Sequence, residues 1–168
     1  TGLPPTPELV SRFVKDPSKA TYDQIVDELL NSPRFGEHWA KMWLDLARYA
    51  DTKGYEKDLG RTMWPYRDWV IKSFNSDMPY DRFVRDQLVG DLEDSTADGL
   101  AASGFLVAGV HNTVVGSSDR MQRIARQDEL EEILATVGQS FLGLAVQCGR
   151  CHDHKFDPLL QRDYYGIA

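Results

Sequence analysis

The sequence predicts an all-α fold. Apolar residues recur at three- and four-residue spacing over most of its 168 residues, as the core-facing stripe of a helix requires. Cap residues and prolines punctuate those stretches where helices start and stop. No Asn-Gly hairpin, alternating strand series or internal repeat is present to suggest a sheet or solenoid.

The elements follow in order. Thr6 and Pro7 are an N-cap and first-turn pair for a short helix near Glu8 to Val14, which Pro17 closes. A second helix runs from about Tyr22 to Leu30, with Thr21 ahead of it and Ile25, Val26, Leu29 and Leu30 on one face. Ser32-Pro33 opens a third, Arg34 to Tyr49. Its apolar side is predicted to hold Trp39, Met42, Trp43, Leu46 and Ala50, with Lys41, Asp45 and Arg48 facing elsewhere.

The stretch Asp51 to Asp58 is polar and broken by Gly54. It reads as a solvated loop, because its acidic residues lack the full ligand pattern of a calcium-binding loop. Helical patterns resume over Trp64–Phe74 and Tyr80–Leu88, then over Asp98–Val107, where Ala101, Ala102, Ser103 and Gly104 suit close packing. Gly109 to Ser118 reads as a loop with a short extended piece at Thr113–Val115. The last long helix is predicted from about Arg120 through Val146, with Gly138 and Gly143 leaving gaps for a neighbour. The closing Asp163–Ala168 looks like a helix cut short.

That last helix leads into Cys148-Gly149-Arg150-Cys151-His152. C-x-x-C-H is the attachment signature of a c-type haem, because its spacing lets two thiols reach one macrocycle edge while the next residue turns an imidazole under the iron. Cys148 and Cys151 are therefore the expected thioether positions and His152 the expected proximal ligand. The other nitrogen of His152 should donate to a backbone carbonyl or a carboxylate, with Asp157 a candidate.

Three other readings compete. A redox C-x-x-C normally follows a strand, and none leads into this one. The two cysteines could form a structural disulfide. A zinc site could draw on Cys148, Cys151, His152 and His154, but four ligands in seven residues make a tetrahedral shell hard to close.

A sixth iron ligand must come from elsewhere in the chain, among His38, His111 and the four methionines. Met42 is preferred as the distal ligand, from the predicted apolar face of its helix, and His111 in its loop is the runner-up. His154 lies too close to His152 to reach the opposite haem face, so a supporting or surface role is expected for it.

Composition bounds the function. Length suggests one domain spanning 1–168, with a hydrophobic content of 42% and an ordinary charged content of 27%. Seven Phe, seven Tyr and four Trp could wall a flat cofactor, although such rings more often fill a core. The net charge of -7 argues against nucleic acid or an anionic membrane as partner. No apolar run is long enough to span a bilayer. The chain also lacks a secretory leader. Since this kind of haem attachment takes place outside the bacterial inner membrane, the chain is expected to be a piece of a larger exported, periplasmic or cell-envelope protein.

Several runs carry a family resemblance. Leu3-Pro4-Pro5-Thr6-Pro7, Trp43 to Asp51, Tyr66-Arg67-Asp68-Trp69-Val70-Ile71 and Pro79-Tyr80-Asp81-Arg82-Phe83-Val84 resemble the second planctomycete-type cytochrome c domain. So do Phe141-Leu142-Gly143-Leu144, Cys148 through Pro158 and Asp163-Tyr164-Tyr165, and the match spans nearly the whole chain. It implies a bacterial, exported, haem-bearing domain set among other domains in larger relatives, without implying a known reaction. Relatives often carry His or another residue at position 42, so the resemblance itself assigns no ligand there.

The expected architecture is thus a multi-helix haem-binding domain with its motif near the C-terminus, unlike the small cytochromes c with an N-terminal motif. The favoured function is electron transfer through one covalent haem c, the partner being a redox protein or a neighbouring cytochrome domain. The alternatives are a haem enzyme with an open or exchangeable sixth position for peroxide or a small ligand, and a structural or interaction module.

Overall fold

The computed structural model describes residues 1–168 and contains eight α-helices and no strand, only an isolated bridge between Thr52 and Gly60. The helices are α1 (Pro7–Lys15), α2 (Lys19–Leu30), α3 (Pro33–Leu46), α4 (Trp64–Asn75), α5 (Tyr80–Glu93), α6 (Ala97–Ala102), α7 (Asp119–Val137) and α8 (Gln161–Ile167). The all-α expectation holds. No helix is long and apolar enough to cross a membrane.

Local chemistry explains the starts. The hydroxyls of Thr6, Ser18, Ser32, Thr96 and Ser118 each accept from a backbone N–H in the following first turn, satisfying a donor that the helix leaves free. Ser18 rather than Thr21 opens α2, so that helix begins three residues earlier than predicted.

The stops differ more. α3 ends at Leu46 rather than Tyr49, because Arg48 turns left-handed at φ 57°. Tyr49 N–H then donates to Leu44 C=O at 2.9 Å and Arg48 N–H to Asp45 C=O at 3.1 Å. α4 ends the same way around Asp77 at φ 49°, with Met78 N–H on Ser73 C=O at 3.0 Å. Both are Schellman closures built on a residue other than the usual glycine. α5 runs on to Glu93, past the predicted Leu88. Only the first half of the predicted Asp98–Val107 helix is α-helical, Ser103–Val107 winding into a 3₁₀ turn. Thr113–Val115 forms no strand.

The predicted continuous helix from Arg120 to Val146 is also corrected. α7 ends at Val137, widens into a π turn over Gly138–Leu142, and is broken by Gly143 at φ 66°. Gly143 is needed for this left-handed conformation and not for close approach, since a Cβ there would meet nothing within 4 Å. Gly138 does serve close approach: a Cβ on it would lie 2.4 Å from Val146 Cγ2.

The main core joins α3, α4, α5 and the α6 region through Ala40, Ala47, Tyr66, Trp69, Val70, Phe83, Ala102, Phe105 and Ala108. Trp69 stacks on Phe83 at 5.3 Å between centroids, and Trp43 meets Phe83 edge-on at 4.9 Å. Most of the chain's buried rings fill this core. At its centre Gln87 is fully buried. Its Oε1 accepts from Trp43 Nε1–H at 2.7 Å and from Tyr66 O–H at 2.8 Å, while its amide donates to Phe83 C=O at 2.9 Å. A smaller core of Leu134, Val146, Leu159 and Tyr164 lies under the C-terminal turn.

Burial acts on the phenols. It raises the pKa of Tyr66 and Tyr164, and together with the hydrogen bond to Asp51 at 2.7 Å it pushes Tyr49 from 10.0 up to about 12. An unfolded phenol therefore ionises first. The phenols' contribution to stability should be level below about pH 10 and fall as pH rises from about 10 towards about 12, because only the unfolded state is then releasing these protons. Urea midpoints measured across that range check this, and Tyr49→Phe should flatten the decline.

Candidate functional site

Cys148 to His152 forms a tight turn. Val146–Arg150 is a 3₁₀ segment, and Cys151 N–H closes back on Cys148 C=O at 3.4 Å. Both thiols are free, Cys148 half-buried and Cys151 exposed. The side chain of His152 is exposed, with Nδ1 2.8 Å from Asp153 C=O. A carbonyl only accepts, so Nδ1 carries the proton and the Nε2 lone pair is left for a metal.

The partner of His152 is thus a backbone carbonyl, and the Asp157 candidate is corrected. Asp157 lies in the loop held by His154, whose Nδ1 accepts from the backbone N–H groups of Asp157 at 2.7 Å and Phe156 at 3.2 Å. With its side chain 12% exposed, His154 organises the loop. The structure gathers no three His, Cys, Asp or Glu groups placed to share a metal ion.

Contacts that the sequence did not disclose hold the turn in place. Arg150 pairs with Asp128 at 2.9 Å and with Glu131, both on α7. The two carboxylates hold its guanidinium charged. Arg150 C=O accepts from Tyr165 O–H at 3.1 Å and from the Gln161 amide at 3.2 Å. Asp153 Oδ1 accepts from Gln161 N–H at 2.8 Å, capping α8. Beneath, the Gly149 backbone rests on Leu159 and Tyr164. The one available signal was an Arg inside the motif facing an i, i+3 pair of acids on the preceding helix.

Replacing Arg150 by Ala should cost roughly 1 kcal/mol or less in global stability, since these pairs are partly exposed. It should nonetheless free the turn. Hydrogen exchange is expected to quicken at the Cys148–His152 amides and stay unchanged in α3–α5.

The distal candidates lie elsewhere. Met42, expected on the apolar face of α3, is 57% exposed, and the core-facing places belong to Ala40, Trp43 and Ala47. The stripe is narrower than predicted and leaves Met42 at its solvent side. His111 is held by Glu129, Nδ1 to Oε1 at 2.7 Å. At about 100° per residue, the face of α7 carrying Glu129 and Glu132 is turned by about that angle from the one presenting Asp128 and Glu131 to Arg150. His38 packs edge-on against Trp39.

As a donor set the turn fits a covalently attached group: two free thiols at the right spacing and an oriented imidazole. Leu142, Phe156 and Leu160 are exposed in the flanking segments, Phe156 to 84%. Ser140 Oγ, Gln147 Oε1 and Tyr164 Oη, in the segments on either side, are buried without a hydrogen-bond partner.

The PSCyt2 family, described as protein of unknown function (DUF1549), matches residues 1–168. The chain belongs to that family. No curated protein and no solved structure matches it. In this PSCyt2 chain the turn and its clamp to α7 and α8 are the most concentrated chemistry.

Proposed function

We propose that this PSCyt2 chain holds one haem c on the Cys148–His152 turn and passes single electrons to and from a redox partner protein or a neighbouring cytochrome domain, on the exported side of the cell envelope. The observation that carries the reading is the pairing of two free, accessible thiols with a histidine whose Nδ1 is committed to Asp153 C=O. When bound, the group would supply a one-electron iron couple.

The chain's part is to attach and orient. Cys148 Sγ and Cys151 Sγ each form a carbon–sulfur bond to a vinyl group, and the thiol hydrogen passes to the neighbouring vinyl carbon, so the addition needs no external oxidant or reductant. His152 offers Nε2 to the iron, and Asp153 C=O fixes the ring and raises its basicity. Arg150, tied to Asp128 and Glu131, keeps the turn from shifting. No acid or base residue is required for this role.

A second reading, a sixth position open to peroxide or another small ligand, draws support from the exposure of Met42 and the engagement of His111 with Glu129. A visible spectrum of protein made with the haem-attachment machinery separates the two. A low-spin spectrum, indifferent to cyanide, is expected of electron transfer, and Met42→Ala asks whether any weak sulfur-to-iron band comes from Met42, which the fold leaves at the solvent side. A band that survives the replacement clears Met42. A high-spin spectrum that responds to cyanide favours the open site, and colourless protein overturns the haem reading.

A further inference from the structure

Away from the turn, the chain has a cavity of about 360 Å³ between the loop around Arg61, the Phe105–His111 segment and α7. None of its lining residues comes from the C-terminal turn. Its walls are apolar at Met63, Phe105, Leu106, Val107, Val110 and Ile133, and Arg48, Arg61 and Arg126 border them. For a protein of net charge -7, three arginines around one apolar hollow are a local reversal of sign.

Two of the three are neutralised. Arg48 pairs with Glu132, and Arg126 pairs with Glu129 at 3.1 Å, the carboxylate that also holds His111. Arg61 differs. Its guanidinium donates to three main-chain carbonyls, those of Ala50 at 3.2 Å, Val107 at 3.1 Å and Ala108. No carboxylate lies within salt-bridge distance of it, Asp51 favouring its charge only from farther off, and two of its five N–H groups remain uncommitted. Its half-buried charge is disfavoured by desolvation. Arg48, on the same border, occupies a left-handed backbone position that a non-glycine residue adopts at a cost.

We propose that this cavity binds a small organic carboxylate with an apolar tail, the carboxylate meeting the free N–H groups of Arg61 and the tail lying against Phe105, Val110 and Ile133. One cation without a salt-bridge partner matches one negative charge. A phosphate dianion would face Glu129 and Glu132 with too little countercharge, and a neutral tail alone would leave Arg61 unpaired. The volume falls within the range of small-molecule sites.

Calorimetric titration of the 168-residue chain with octanoate tests this, with octan-1-ol and inorganic phosphate as comparison probes. Saturable one-to-one binding of octanoate is expected, with both comparison probes at least about tenfold weaker, as the loss of a charge-assisted hydrogen bond implies. Arg61→Gln should weaken octanoate about tenfold or more. Because Arg61 also ties three carbonyls, Val110→Glu is the second variant: it sets a carboxylate at an exposed rim position and should weaken octanoate similarly while the helical circular dichroism and melting temperature hold. Equal binding of octanol, stronger binding of phosphate, no saturation by octanoate, or unaltered octanoate binding in folded Val110→Glu protein would each overturn the proposal. The outcome is independent of haem attachment, since the chain can be titrated with or without it.

Discussion

Protein in which Cys148 and Cys151 are both replaced by Ala is expected to leave the haem-attachment machinery with no covalent haem, while the parent shows a haem-sized mass increment after denaturation. Each single replacement should keep one thioether at reduced yield. His152→Ala should keep both thioethers and lose the strong-field spectrum, because attachment and axial ligation rest on different side chains of the turn. The fold should survive all of these, since Cys151 and His152 are exposed and Cys148 is half-buried, and surface changes usually shift stability by about 0.5 kcal/mol or less. Unmodified thiols in denatured parent protein would sink the attachment.

Gln87→Ala is expected to be among the more damaging single changes to the fold. It removes the acceptor shared by Trp43 Nε1–H and Tyr66 O–H, empties a fully buried site, and leaves the Tyr66 hydroxyl without an acceptor for its proton. Unmet buried donors and a core cavity together cost about 3 kcal/mol, which for a chain of this size lowers the melting temperature by roughly 6–12 °C. Gln87→Met keeps most of the volume and isolates the polar part. Trp43 can still donate to Tyr66 Oη at 3.1 Å, so Met should cost about half as much as Ala. Equal melting temperatures for the two variants would show that the lost hydrogen bonds alone matter there, and a Met variant as stable as the parent that packing alone does.

The C-x-x-C-H turn was legible because it is local: three side chains within five residues make it up, and backbone spacing brings them together. The partner of His152 was not, since choosing between a carbonyl one residue on and a carboxylate five residues on depends on how the loop after Cys151 folds over Leu159 and α8. Met42 shows the limit of helical periodicity. One residue of phase separates it from Trp43, and that step carries the side chain from the aromatic core to solvent.

By itself the sequence determined that the chain is helical, where most of its helices start, and that one C-x-x-C-H turn follows the last long apolar stripe. Hydroxyl caps, prolines and three- to four-residue periodicity act within a few residues, so a linear reading captures them. Only the tertiary structure decided the left-handed closures at Arg48 and Asp77, the break of α7 before Gly143, the clamp of Arg150 by Asp128 and Glu131, the Trp43–Tyr66–Gln87 network and the placing of Arg61 without a salt-bridge partner. Each of these weighs a local preference against contacts with other parts of the fold. A left-handed arginine or a buried glutamine is unfavourable alone and becomes stable only when Glu132, or Trp43 and Tyr66, arrive from distant parts of the chain.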